Sequence, residues 1–157
     1  MSVAYRLAQR ADVPVIHALL SENAANDGAQ LQGSEAALLR HGFGPAPMFR
    51  VALAGRGGDV LGLALFFPEY SSWRGRMGVS IQDLYVRPTA RGLGVGRGLL
   101  ACAFRAAADW QPAFMTLMVQ HKNAKAQGFY ASQGFTLREA ADVLICEGKA
   151  LSRLVAP

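Results

Sequence analysis

At 157 residues the chain has room for one domain of ordinary size and no second, since domains run roughly 100 to 200 residues. Its 52% hydrophobic and 17% charged residues exclude the polar, charge-dense composition that fails to fold, so a packed core is expected. Lys and Arg outnumber Asp and Glu by 16 to 11, and the resulting +5 favours an anionic partner: nucleic acid, acidic lipid or a phosphorylated cofactor.

The longest apolar run, Val60 to Phe67, falls far short of the ~20 residues that span a bilayer. Met1 to Gln9 lacks a basic-then-apolar leader, so a cytoplasmic protein without a membrane partner is expected. Cys102 and Cys146 stand far apart without a CxxC spacing and read as two buried thiols.

In chain order, Ala4 to Leu7 reads as a strand, and Asp12-Val13-Pro14 starts a helix through His17, Leu19 and Leu20. Asn23 to Gly33 is polar and reads as a mobile connection; Ser34 then caps a short helix to Arg40. Phe49, Val51 and Leu53 alternate with smaller or polar residues as in a strand. A five-residue loop, Gly55 to Asp59, turns the chain into a buried strand, Val60 to Phe67. Pro68 to Gly78 reads as a loop and Val79 to Val86 as the next strand. Its apolar parity flips between Ile81 and Leu84, which predicts a bulge near Gln82 and Asp83.

Thr89 to Gly98 is a glycine-rich turn before a helix, Leu99 to Asp109. Phe114 to Val119 fits an interior strand, Asn123 to Gln133 a helix ending at Gly134, and Phe135 to Leu137 and Leu144 to Leu151 the last strands. The fold class is α+β, a mixed, splayed, mostly antiparallel sheet flanked by helices.

Glycines let a backbone come close to a ligand, and a helix N-terminus favours anions, so the turn is suited to phosphate. It matches neither G-x-G-x-x-G nor a loop ending in Gly-Lys-Ser/Thr. Arg91-Gly92-Leu93-Gly94-Val95-Gly96 does match Arg/Gln-x-x-Gly-x-Gly/Ala, and about thirty residues later Asn123 precedes a helix with Phe129-Tyr130 that ends at Gly134-Phe135. In both segments the chain resembles the GCN5-related N-acetyltransferases. Tyr70-Ser71-Ser72-Trp73-Arg74-Gly75-Arg76 and Ile81-Gln82-Asp83-Leu84-Tyr85-Val86-Arg87-Pro88 are most similar to the diamine and thialysine branch. That branch carries Leu-Glu-Asp where Ile81-Gln82-Asp83 stands here, so a carboxylate used by polyamine enzymes is missing.

The resemblance implies acetyl-coenzyme A as cofactor, a small-molecule amine as partner and a homodimer. It places the cofactor against Leu84, Tyr85, Val86, Arg91, Gly92, Leu93, Gly94, Val95, Gly96, Arg97, Asn123, Lys125, Phe129 and Tyr130. The acceptor amine is expected near Glu22, Tyr70, Trp73, Gln82 and Asp83. Acetyl transfer needs a neutral amine beside the thioester and donors for the carbonyl oxygen. A bulge near Gln82 would splay the strand from its neighbour and leave backbone groups of Leu84 and Val86 free to bind.

An amine titrating near ~10.4 arrives protonated, so a base is required. Asp83 is the first candidate, with Glu69, Glu22 or His121 acting through water as alternatives. Tyr130 is the candidate acid for the departing thiolate, and Arg87, Arg91, Arg97 and Lys125 are candidate phosphate neighbours. His17, His41 and His121 form no metal spacing, so no metal is expected, and no motif points to nucleic acid. A protein or antibiotic acetyltransferase and a catalytically silent acyl-coenzyme A-binding module are the competing readings.

Overall fold

Alternating apolar residues build the sheet. In the computed structural model, which describes residues 2–138, 146 and 148–154, β2 (Arg50–Arg56) and β3 (Asp59–Ser71) pair antiparallel, with Val51 opposite Leu65 and Leu53 opposite Leu63. β1 (Ala4–Leu7) adds to β2 and β4 (Arg76–Val86) to β3, both antiparallel. A short fifth strand, β5 (Met115–Leu117), joins β4 in parallel, so the order is β1-β2-β3-β4-β5. The expected mixed, mostly antiparallel sheet is present.

One face of the sheet is covered by α1 (Val13–Asn26), which starts at Pro14 in its first turn, where a missing N–H costs nothing. Its stripe of Ile16, Leu19 and Leu20 packs on Val51, Leu53, Leu63, Leu65 and Tyr85. Each such side chain removed from water contributes about 1.5 to 3 kcal/mol. α2 (Glu35–Gly42) follows, its N-terminus capped by Ser34 Oγ, which accepts from the Ala37 amide at 3.2 Å. The opposite set, Ala52, Ala54, Ala64 and Phe66, is also fully buried, on the side where α3 (Val95–Ala106) contributes Leu99 and Ala103.

The bulge lies where the parity of the sequence predicted it. Phe66 faces Ile81 and Leu65 faces Asp83, so Gln82 is the extra residue. The insertion returns Leu84 to the face that Ile81 occupies and leaves Asp83 on the α1 face, opposite Leu65. An apolar strand that changes phase thus keeps one apolar side.

Several boundaries differ from expectation. The β2–β3 connection is a two-residue turn, Gly57-Gly58 with φ of 60° and 91°, rather than a five-residue loop. Positive φ at both positions suits the tight turn whose twist matches the strands. β3 and β4 run through most of the expected Pro68–Gly78 loop, with Pro68 opposite Val79. Pairing to β2 ends at Phe66, so Pro68 lies where its missing N–H faces no strand among the described residues. α1 continues to Asn26, absorbing the start of the expected connection, and His17 Nε2 meets the Gly33 carbonyl oxygen at 3.0 Å. α3 begins at Val95, inside the expected loop.

The chain divides into two compact units, Met1–Met118 and Val119–Pro157. The second holds α4 (Ala124–Ser132) and α5 (Gly148–Leu154). Gly134, φ 91°, follows α4 as expected, whereas Phe135 to Leu137 form no strand. Of the expected strand at Leu144 to Leu151, the stretch from Gly148 is helix and most of the rest lies outside the described residues. Cys102 is buried as expected, but Cys146 is exposed.

Candidate active site

The β4–β5 ladder pairs Val79 with Met115, Ser80 with Thr116 and Ile81 with Leu117. It stops there among the described residues, at the residue before the bulge, so Gln82–Val86 continue along β3 alone. Among the described residues this leaves the Gln82–Val86 edge of β4 without a strand on that side, as a splay would require. Leu84 and Val86 lie on it, half-buried. Val86 is less free than expected, because its carbonyl oxygen accepts from Arg91 Nε at 2.8 Å.

Beyond β4 a short turn, Pro88–Ala90, leads to Gly92 (φ 78°) and Gly94 (φ 75°), the latter the N-cap of α3. Only glycine takes that backbone without strain. No side chain caps the helix, and a Cβ placed at either glycine would meet nothing within 4 Å. The first amides of this twelve-residue helix thus have no N-cap side chain to accept from them at its positive end. Arg91, Gly92, Leu93, Gly94 and Arg97 are exposed around them, Gly96 is half-buried, and Val95 is 1% exposed and anchors the turn. This cradle suits an anion, the chemistry a coenzyme diphosphate presents.

The last turns of α1 reach the same region with three polar side chains. Asn23 Nδ2 donates to Asp83 Oδ1 at 3.2 Å. Glu22 accepts from Arg87 Nη2 at 2.7 Å and from Arg87 Nε at 3.0 Å. Asn26 Oδ1 accepts from Arg91 Nη2 at 3.4 Å, and Arg91 lies 5.8 Å above the Tyr85 ring. Glu22, Asn23 and Asn26 share a helix face at spacings of three and four.

These partners sort the carboxylates. Burial pushes the Asp83 carboxyl above the usual carboxylate range, and the Asn23 bond works against it. The Arg87 guanidinium holds Glu22 below that range, which makes Glu22 the weaker base. Arg87, read as a phosphate neighbour, is committed to Glu22 and the Val60 carbonyl oxygen. Burial, with Glu22 beside it, raises the Tyr85 phenol. Glu69 accepts from the Thr116 hydroxyl across β4.

Gln82 is exposed beside Asp83. Tyr70 and Trp73 are not brought to this cluster: Tyr70 pairs with Met77, five residues along β3 from Leu65, or about 17 Å at strand rise. Trp73 stands fully exposed in the turn beyond. Asn23 and Asn26, which fall in the expected polar connection, instead lie on α1. Their signal is periodicity, since Ile16, Leu19, Leu20 and Asn23 continue one core-facing stripe.

Within the second unit, Asn123 caps α4, its Oδ1 accepting from the Ala126 amide at 3.1 Å. Gln127 Nε2 donates to the His121 carbonyl oxygen at 2.8 Å and to that of Gln120 at 3.0 Å, tying down the preceding turn. Tyr130 is half-buried between Phe129 and Phe135, with ring centroids 5.2 and 5.6 Å away. Burial raises its phenol, so it stays protonated at neutral pH. Lys125 is exposed in the first turn. Among the described residues no group of His, Cys, Asp and Glu is placed to hold a metal ion, and no helix is long and apolar enough to cross a membrane.

An unpaired β4 edge followed by a glycine turn and a helix N-terminus accords with an acyltransferase, and the chain belongs to the acetyltransferase (GNAT) family, which it matches over residues 16–135. It is 31% identical over 157 residues to the thialysine N-epsilon-acetyltransferase of Sus scrofa, covering 94% of this chain and 89% of that protein. It is 30% identical over 138 residues to the human spermidine/spermine N(1)-acetyltransferase-like protein 1, covering 82% of this chain and 20% of that one. An integron cassette protein from V. cholerae shares the fold, with a TM-score of 0.79 at 24% identity over 100% of this chain and 99% of that one. The protein is an N-acetyltransferase, of a family whose co-substrate is acetyl-coenzyme A.

Proposed function

We propose that the protein transfers an acetyl group from acetyl-coenzyme A directly to the primary amine of a small amine or amino acid. The observation that carries this reading is the uncapped α3 N-terminus behind Gly92 and Gly94, one short turn away from a β4 edge that β5 leaves unpaired. The amides at Gly92–Gly96 would hold the diphosphate, and the edge at Leu84–Val86 the pantetheine arm. The coenzyme supplies an activated thioester.

Asp83 is the base of this reading. An ammonium near ~10.4 must lose a proton before its nitrogen can attack, and a carboxylate raised by burial is a better acceptor than an ordinary one. The first proton goes to Asp83, the N–C bond forms as the C–S bond breaks, the sulfur takes the electron pair, and the new amide nitrogen sheds its second proton to solvent. The family resemblance assigns the sulfur's proton to Tyr130, whose phenol burial raises. Solvent then exchanges the protons of both residues. Asn123, Lys125 and Phe129 are carried as cofactor neighbours by the family resemblance.

Support for a small acceptor comes from the 31% identical thialysine enzyme. With Gln82 in place of a second carboxylate, a polyamine is disfavoured. The test is free-thiol release from acetyl-coenzyme A in the presence of thialysine-like amino acids, diamines, aminoglycosides and a lysine peptide. Turnover is expected with the amino acids. Turnover only with the peptide or the aminoglycosides would overturn the acceptor class.

A further inference from the structure

We propose that Asn23 is a positioning residue for Asp83: its side-chain amide holds Asp83 Oδ1 and leaves Oδ2 to take the acceptor's proton. This rests on the reading of Asp83 as base. Asn23 stands seven residues after Ile16 on the stripe with which α1 meets the core, a place where an apolar residue would ordinarily gain burial energy. An amide there has its Nδ2 donating to one partner on β4, the carboxylate at the bulge, 3.2 Å away. The bulge turns Asp83 toward α1, and α1 carries the donor that fixes it.

The hydrogen bond acts in two ways. It orients the carboxylate, and because Nδ2 donates to the ionised form it opposes the upward push of burial. Other charged or titratable groups on the elements around Asp83 have partners of their own. Glu22 on α1 is bound to Arg87 at the end of β4, Tyr85 on β4 lies beside Glu22, and Glu69 on β3 is bound to Thr116 of β5. None of them is among the causes of the Asp83 shift, which are burial and Asn23.

The experiment compares pH profiles of kcat/KM for the wild type, Asn23→Ala, Asn23→Leu, Asn23→Asp and Asp83→Asn, with the best acceptor amine and saturating acetyl-coenzyme A. Loss of the donor is expected to move the acid limb to higher pH and lower kcat about tenfold, with the KM for acetyl-coenzyme A unchanged. Asn23→Asp is expected to move the limb further, because two carboxylates then share the site. Asn23→Leu preserves helix and core should the alanine variant fail to fold, and a carbon-13 titration of the Asp83 carboxyl in that variant reads the same shift without turnover. An acid limb and titration midpoint identical to wild type, with Asp83→Asn inactive, would overturn the role of Asn23 alone. Wild-type rates in Asp83→Asn would overturn Asp83 as base.

Discussion

Glu22 and Arg87 meet side on, the carboxylate taking Nη2 at 2.7 Å and Nε at 3.0 Å, so that the last turns of α1 are tied to the residue where β4 gives way to the glycine turn. Both side chains are about one-third exposed, 37% and 34%, so solvent weakens the pair and it contributes no more than about 1 kcal/mol. Arg87 lowers the Glu22 carboxyl, so this contribution is present above the ordinary glutamate range and is lost as pH falls through the lowered value. Denaturant melts of the wild type and Glu22→Gln should therefore differ at pH 7 and converge in acid. A gap that stays constant into acid would contradict the pairing.

The glycine turn makes a sharper demand. At Gly94 a methyl group meets nothing within 4 Å, so an alanine there is opposed by its backbone, held at φ 75°, and not by crowding. Gly94→Ala should lose about 1 to 2 kcal/mol of stability. It should also weaken coenzyme A binding in calorimetry while the circular dichroism spectrum is unchanged. Wild-type affinity would remove the turn from the binding site.

Packing behind the site is tested at Phe66, which is fully buried, faces Ile81 next to the bulge and meets the Trp110 ring edge-on at 6.0 Å. Phe66→Ala should cost about 3 to 5 kcal/mol in denaturant melts. The loss falls on the face covered by α3, away from Asp83.

The bulge was legible because an apolar strand cannot change parity without an extra residue, and Ile81 to Leu84 shows that change in four letters. The glycine turn was legible because its residues are restricted by backbone conformation. The reach of α1 was not, since Asn23 and Asn26 are common in loops and only the helix face they share reveals them. Pro68 and Gly78 misled in the opposite direction. Both look like breakers, yet a proline fits where a strand has lost its neighbour on one side. At Gly78 a methyl group would run into the Phe114 ring. The commitment of Arg87 to Glu22 joins residues 65 positions apart, a relation no local pattern encodes.

Asp83 should reveal itself through stability as well as rate. Because burial raises its carboxyl, the folded state prefers the neutral acid, and the associated stability is full at low pH and declines as pH rises through the raised value. Asp83→Asn keeps the shape and removes that ionisation. The variant's Tm should therefore exceed that of the wild type by a margin that grows from acid to neutral pH, while kcat falls about 100-fold to 10,000-fold with the loss of a base. A wild type as stable as the variant at every pH would mean that the carboxylate carries no burial penalty. Asp83 would then have no better claim to the proton than the exposed acids around it.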